Sequence, residues 1–297
     1  MVIDTPSESM IELRPLQQFL AVAELLHFGR AAQALHMSQP PLTQAVRKLE
    51  GQLGVQLFER SSRSVQLTPA GAALQTLAKK LLAEAAALPA EVRAVAAGLA
   101  GRLRLAFVST VGFGGLPQWL RSFRDACPQV ALALREATLD VQLHEFAAGS
   151  VDAGFVIHTP GQAPAGFERL SVGVEPLVLA LPSSDQRPSD AQCRAAPLVI
   201  FPRDVAPSLY DAILAHHGGA GQDVRVGQEA IQMQTIINLV SAAIGVAWVP
   251  ASLQGLQRAG VVYRAMADAP EVETSLIWRA DAPPVVARFV EHMRHHA

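Results

Sequence analysis

The sequence predicts an α/β protein in three parts: a helical head, one long helix and a two-lobed α/β body. Three observations carry this. Apolar residues recur at three- and four-residue spacing from about residue 15 to 53. An Ala- and Leu-rich run then continues to about Ala97. Beyond Gly101, short apolar strands alternate with helices in two successive runs. The 297 residues suit one large domain or two ordinary ones, and half of them are apolar, which excludes a disordered chain. Cys127 and Cys193 are too few for a disulfide framework and are not spaced as a metal knuckle. No run of 18 apolar residues suggests a membrane span, and Asp4 and Glu8 precede any apolar run, unlike a signal peptide. A soluble cytoplasmic protein is expected.

Residues 1–9 are polar and read as a tail. Leu16, Phe19, Leu20, Ala23 and Leu26 mark a first helix, with Pro15 in its first turn, where a missing N–H costs nothing. A short Ala-rich helix is expected over Arg30–Leu35. After His36-Met37-Ser38, a third helix begins with Ser38 as N-cap and Pro40 and Pro41 in its first turn. Its apolar stripe is Leu42, Ala45, Val46, Leu49 and Leu53; Gln39, Pro40, Thr43, Gln44 and Arg47 lie opposite. Phe58–Leu67 alternates about Ser61-Ser62, as a hairpin does. Thr68-Pro69 opens the long helix, whose seam of Leu74, Leu77, Leu81, Leu88, Val92, Val95 and Leu99 is coiled-coil-like. Pro89 is expected to kink or end it. The part of the seam at Leu74, Leu77 and Leu81 is expected to bury itself against a second chain. The body reads as a mainly parallel sheet, with a ligand cleft between its lobes.

Charge is uneven. Residues 10–100 hold nine basic and six acidic side chains, against fifteen and twenty in the remainder, for a net charge of −2. A mildly basic head suits nucleic acid at one end, although ordinary scatter accounts for so small an excess. The helix–turn–helix at 29–53 is more informative. Arg can pair bidentately with guanine, Gln with adenine, and a Thr methyl can meet thymine. Periodicity alone leaves DNA binding and a plain helical hairpin equally open.

The residues themselves decide between them. The stretch Phe28 to Glu50, with Leu53-Gly54, Leu57-Phe58-Glu59-Arg60 and Leu67-Thr68-Pro69-Ala70-Gly71, resembles the head of LysR-type transcriptional regulators in order and spacing. Gly101 to Leu105, Gly149 to Phe155 and Gly245 to Pro250 resemble later landmarks, so the resemblance runs from Met10 to the end. It implies a winged helix–turn–helix over 10–68, a dimerising linker helix over 69–100, and a periplasmic-binding-protein-like effector domain over 101–297. Lobe I would take about 101–170 and 270–297, and lobe II about 171–269. The recognition helix falls at about 39–53, and the DNA-facing set becomes Arg30, Ser38, Gln39, Pro40, Pro41, Thr43, Gln44, Arg47, Lys48, Arg60 and Arg63. Arg30 and the wing residues Arg60 and Arg63 would meet phosphate or the minor groove, adding salt-dependent, sequence-blind affinity.

Gln39-Pro40-Pro41, Phe107 to Thr110, Phe201-Pro202-Arg203, Val249 to Ser252 and Ala287 to His292 are similar to regulators of benzoate, muconate and chlorocatechol breakdown. This resemblance implies a small aromatic or dicarboxylic acid as effector. Two departures stand out: Ala243 replaces a frequent Gly, and Ile157 and His158 stand where some members place an Arg. For the effector, Ser109 and Thr110 end the first strand and Thr138 ends the second, each before a helix, which is an anion cradle of N–H and hydroxyl donors. Pro202, Arg203 and Ser208 approach from the other lobe. The alternative for each hydroxyl is a helix cap.

The expected partners are promoter DNA, the small organic acid, a second copy in a homodimer or homotetramer, and RNA polymerase; no membrane, cofactor or metal is expected. Gly112 to Gly115 lacks the Lys of a phosphate loop, and Ser150 follows a helix rather than a strand, unlike a nucleophile elbow. His292, His295 and His296 lie on a terminal helix too frayed for a closed metal site, and His216-His217 reads as a helix end. No catalytic set supports an enzyme, and the head argues against a solute-binding protein.

Overall fold

Helical spacing gathers the apolar residues of the N-terminal unit around a small aromatic core. The computed structural model describes residues 11–60, 64–184, 188–218 and 223–296, and the chain divides after Val92 into two units. The first contains α1 (Leu13–Leu25), α2 (Phe28–Ala34), α3 (Gln39–Leu53), β1 (Phe58–Arg60), β2 (Val65–Leu67) and most of α4 (Pro69–Ala96). Phe19 and Phe28 both pack on Phe58, with ring centroids 5.4 and 5.7 Å apart, and Leu16, Val22, Leu42, Val46 and Leu49 close the core. β1 and β2 pair antiparallel as the expected hairpin, Phe58 opposite Leu67; the tail 1–9 and the hairpin centre Ser61-Ser62 fall outside the described residues.

Three expectations change. α2 begins at Phe28, before Arg30, because the His27 ring caps it: Nδ1 accepts from the Gly29 and Arg30 amides at 3.1 and 3.2 Å. Pro89, expected to kink or end α4, does not end it, since the helix continues to Ala96; the ring removes the bond to the Ala85 carbonyl and crowds that oxygen. Along the seam, Leu74, Ala78 and Leu82 pack on the unit's own core, so Leu74 is not free for a second chain. Leu77 (65% exposed), Leu81, Leu88 and Val92 remain uncovered.

The second unit adds β3 (Ala100–Phe107), α5 (Leu116–Ala126), β4 (Gln129–Glu136), α6 (Leu139–Ala147), β5 (Ala153–His158), β6 (Glu168–Pro182), α7 (Asp190–Ala195), β7 (Leu198–Ile200), α8 (Pro207–Gly218), β8 (Val226–Glu229), α9 (Met233–Ser241), β9 (Ala247–Pro250), β10 (Val261–Arg264), β11 (Glu271–Trp278) and α10 (Pro284–His296). The main sheet runs β10-β6-β11-β5-β3-β4, with β9 also on β6. It is mixed rather than mainly parallel. β3 pairs parallel with β4 and β5, whereas β6 and β11 form antiparallel pairs. The reason is that β6 spans 15 residues, its first part pairing with β11 and its last part with β9 and β10. One strand therefore belongs to both lobes.

Lobe I is three-layered. On one face Phe123 and Phe289, from α5 and α10, meet edge to face at 4.9 Å; on the other, Phe146 of α6 packs with Val151, Val156 and Ile277. Asp152, in the Gly149–Phe155 stretch, accepts from the Arg104 amide at 2.8 Å and from its guanidinium. In lobe II, His217 is buried at the end of α8. Burial holds its ring below the ordinary histidine range, so neutral Nδ1 accepts from the Trp248 indole N–H at 3.2 Å.

The sequence departure at Ala243 has a backbone consequence. Ala243 takes a φ of 59° just after α9, where a Cβ is disfavoured. Gly245, two residues on, has no such latitude, since a Cβ there would stand 2.2 Å from the Pro197 carbonyl oxygen. Ala243→Gly is expected to stabilise the second unit by about 0.5–1 kcal/mol, the relieved strain outweighing the added chain entropy. Chemical denaturation checks this, and a lowered midpoint would refute it.

Candidate functional site

The exposed face of α3 follows from its sequence. Leu42, Val46 and Leu49 are buried, which turns Gln39, Pro40, Pro41, Gln44, Arg47 and Lys48 outward. Ser38 occupies the N-cap position but its hydroxyl makes no capping bond. A cap accepts from the second or third helical amide, and here both positions are proline. The start of α3 thus has two fewer backbone donors than an ordinary helix. Thr43 Oγ1 donates to the Gln39 carbonyl at 3.1 Å, which commits its proton and leaves its methyl and the oxygen's lone pairs. Arg30 is exposed and donates to the Leu25 carbonyl at 2.9 Å. Arg60 is the last residue of β1, and Arg63 lies outside the described residues.

Sequence reasoning passed over Glu50. Its side chain is buried, and Oε1 accepts from the Leu57 and Phe58 amides at 2.9 and 3.3 Å. The carboxylate ties the end of α3 to the first strand of the hairpin. The available signal was a carboxylate beside the apolar stripe at Leu49.

In the second unit a cleft of about 380 Å³, open to solvent, lies where several chain segments meet. Ser109 and Thr110 do not end β3, which stops at Phe107; they open a 3-10 turn, Ser109–Phe113, that precedes α5 and brings them to the cleft. Thr138 is the N-cap of α6 with no side-chain cap bond, and the start of α9 contributes Gln232, likewise uncommitted as a cap. Thr110 is 5% exposed and its hydroxyl has no partner among the described residues. Ile157 and Phe201 form apolar walls, and the exposed Glu136 borders the space. Two helix N-termini and the 3-10 turn thus converge on one volume, and each such end carries partial positive charge.

On the second lobe the lining comes from Phe201, Val205 and the start of α9 at Ile231, Gln232 and Met233, whereas Pro202, Arg203 and Ser208 are placed otherwise. Arg203 is exposed and paired with Asp211 by two hydrogen bonds of 2.9 and 2.7 Å, which hold the Asp211 carboxyl below its ordinary range. Pro202 caps the 3-10 turn Arg203–Val205, which faces Arg203 outward. Ser208 Oγ accepts from the Thr159 amide at 3.2 Å, a link between the lobes. At the position of the expected cation, Ile157 borders the cleft. His158 is buried in the sheet, with Nε2 3.0 Å from Ser275 Oγ and Nδ1 3.9 Å from Glu273. Gln232 and its neighbours were invisible as site residues because they carry no motif; only the fold brings the start of α9 to the cleft.

Residues 13–72 match the bacterial regulatory helix-turn-helix protein family of the lysR type, and residues 96–297 match the LysR substrate binding domain. The chain belongs to the LysR family of transcriptional regulators. It is 44% identical to the HTH-type transcriptional regulator IlvR of Caulobacter vibrioides over 91% of this chain and 93% of that one. It is 33% identical to TcbR of Pseudomonas sp. strain P51, covering 97% and 99%. Full-length CbnR, solved in complex with its target DNA, superposes with a TM-score of 0.80 at 32% identity, covering 96% of this chain and 99% of that chain. This LysR protein is therefore a DNA-binding regulator with an effector-binding domain, and not an enzyme. Among the described residues no helix is long and apolar enough to cross a membrane.

On this LysR head, Arg47 stands one helical turn beyond Thr43 on the exposed face. Arg47→Ala is expected to cost on the order of 1–3 kcal/mol in operator binding and to relax base preference. Footprinting titrations check it; unchanged affinity and preference would remove Arg47 from the reading set.

Proposed function

We propose that this regulator responds to a small organic acid, an aromatic acid or a dicarboxylate, held in the cleft at Thr110 and Thr138. The observation that carries this reading is the convergence of two helix N-termini and the 3-10 turn on a space lined by two uncommitted threonine hydroxyls, one of them buried without a partner. Free N–H groups and helix dipoles supply positive potential without a dedicated Arg, which fits the commitment of Arg203 to Asp211. Ser109 adds a third hydroxyl. Resident cofactors and metals have no part in the proposal.

The outward face of α3 reads promoter DNA, with Arg30, Arg60 and Arg63 on the backbone. The uncovered stripe Leu77, Leu81, Leu88 and Val92 pairs with a second copy, giving two heads for two half-sites. RNA polymerase is the further partner, and the protein works in the cytoplasm beside the chromosome. Effector affinity and DNA affinity are coupled reciprocally.

Calorimetry with a panel of aromatic acids and dicarboxylates tests the effector. Thr110→Val and Thr138→Val should each lose about 1–3 kcal/mol of affinity for the tightest acid, the value of a charge-assisted hydrogen bond, while DNA binding without effector survives. Wild-type affinity in both variants would move the site elsewhere.

Changing Leu77 and Leu81 together to Glu should give monomers with poor operator affinity. Light scattering that still reports an oligomer would refute the interface.

A further inference from the structure

We propose that the effector-binding unit holds a second ligand chamber, beside the cleft, for a neutral molecule with an apolar body such as an aromatic ketone. A recess of about 640 Å³, open to solvent, shares Thr110 and Ile157 with the cleft but has its own walls. The 3-10 turn at Ser109–Phe113 and the start of α5 border it from lobe I, and Pro250 and Ser252 from lobe II. β6 and β11 pass between.

Three features mark it as built space. Gly173 lies in the interior of β6 opposite Thr274, and a Cβ there would meet no atom within 4 Å. A glycine inside a strand weakens it and usually marks a bulge or a close approach; here nothing of the protein approaches, and the open volume is the recess. Next to it the register shifts. Thr274 pairs with Gly173 and Ser275 with Ser171, so Val172 has no partner in β11. Such bulges bend a strand and re-aim its side chains, and Val172, Gly173 and Thr274 all line the recess. The third feature is Trp119, whose indole stacks on Phe155 at 5.3 Å and provides a flat apolar wall.

The charges select the ligand. Glu175 is the one charged side chain among the described lining residues, and both its oxygens accept from Ser252, one from the amide and one from the hydroxyl at 2.9 Å. An acid entering here would lose water beside a carboxylate with no cation to receive it. A neutral carbonyl meets no such penalty. Thr274, in the wall of the recess, carries a hydroxyl that can donate to it. A molecule in the chamber touches both lobes and the two strands between them, so it acts as a co-effector whose binding is coupled to that of the acid.

Acetophenone, with benzoate as its charged counterpart, is the probe, titrated into the full-length protein by calorimetry and tryptophan emission. Saturable binding of one acetophenone per chain is expected, undisplaced by benzoate. Gly173→Leu fills the recess and should weaken acetophenone by roughly tenfold or more, leaving acid affinity unchanged. Thr138→Val should leave acetophenone affinity unchanged, which separates this chamber from the acid cleft. Trp119→Phe keeps the fold, weakens acetophenone and removes the emission change, and it decides the matter if Gly173→Leu does not fold. Absence of saturable acetophenone binding, wild-type affinity in a folded Gly173→Leu or in Trp119→Phe, or displacement by benzoate would each overturn the proposal.

Discussion

The antiparallel pairing of β6 with β11 is the constraint on which the effector-binding unit depends. β6 pairs with β11 from Glu168 to Pro176 and then, without a break, with β9 and β10. A single strand thereby belongs to two lobes, and its position limits how far they can part. The recess lies against this strand pair, and both it and the adjoining cleft meet the end of β5 at Ile157. The register slip at Thr274/Ser275 and the glycine at 173 fall where the strands pass the recess. The hydrogen bond from the Thr159 amide to Ser208 and the buried set of His158, Ser275 and Glu273 fasten the same region.

The DNA-binding unit rests on a different economy. Its core is small, and two polar groups replace what a larger core would supply. His27 caps α2, and the Glu50 carboxylate joins α3 to β1 through two amides. Buried polar groups of this kind cost little while fully bonded and much when one partner is lost. Both therefore hold α3 at a defined angle to the hairpin. The prolines at 40 and 41 act in the opposite sense, removing two backbone donors from the start of α3.

The sequence by itself determined the elements with strong period or motif. α1 and α3 stand where the spacing of apolar residues placed them, because an amphipathic stripe is a local property. The hairpin and the long helix were legible for the same reason, and the family from the order of its words. The sequence also placed Thr138 between a strand and a helix; Thr110, expected at a strand end, stands in a 3-10 turn beyond β3. It could not show what those hydroxyls face. Tertiary structure alone decided that Arg203 turns to Asp211, that the start of α9 reaches the cleft, that Leu74 faces its own core and that the sheet is mixed. The physical reason is range: helical period and capping act over a few residues, whereas a strand's direction and a charge's partner are set by segments far apart in the chain.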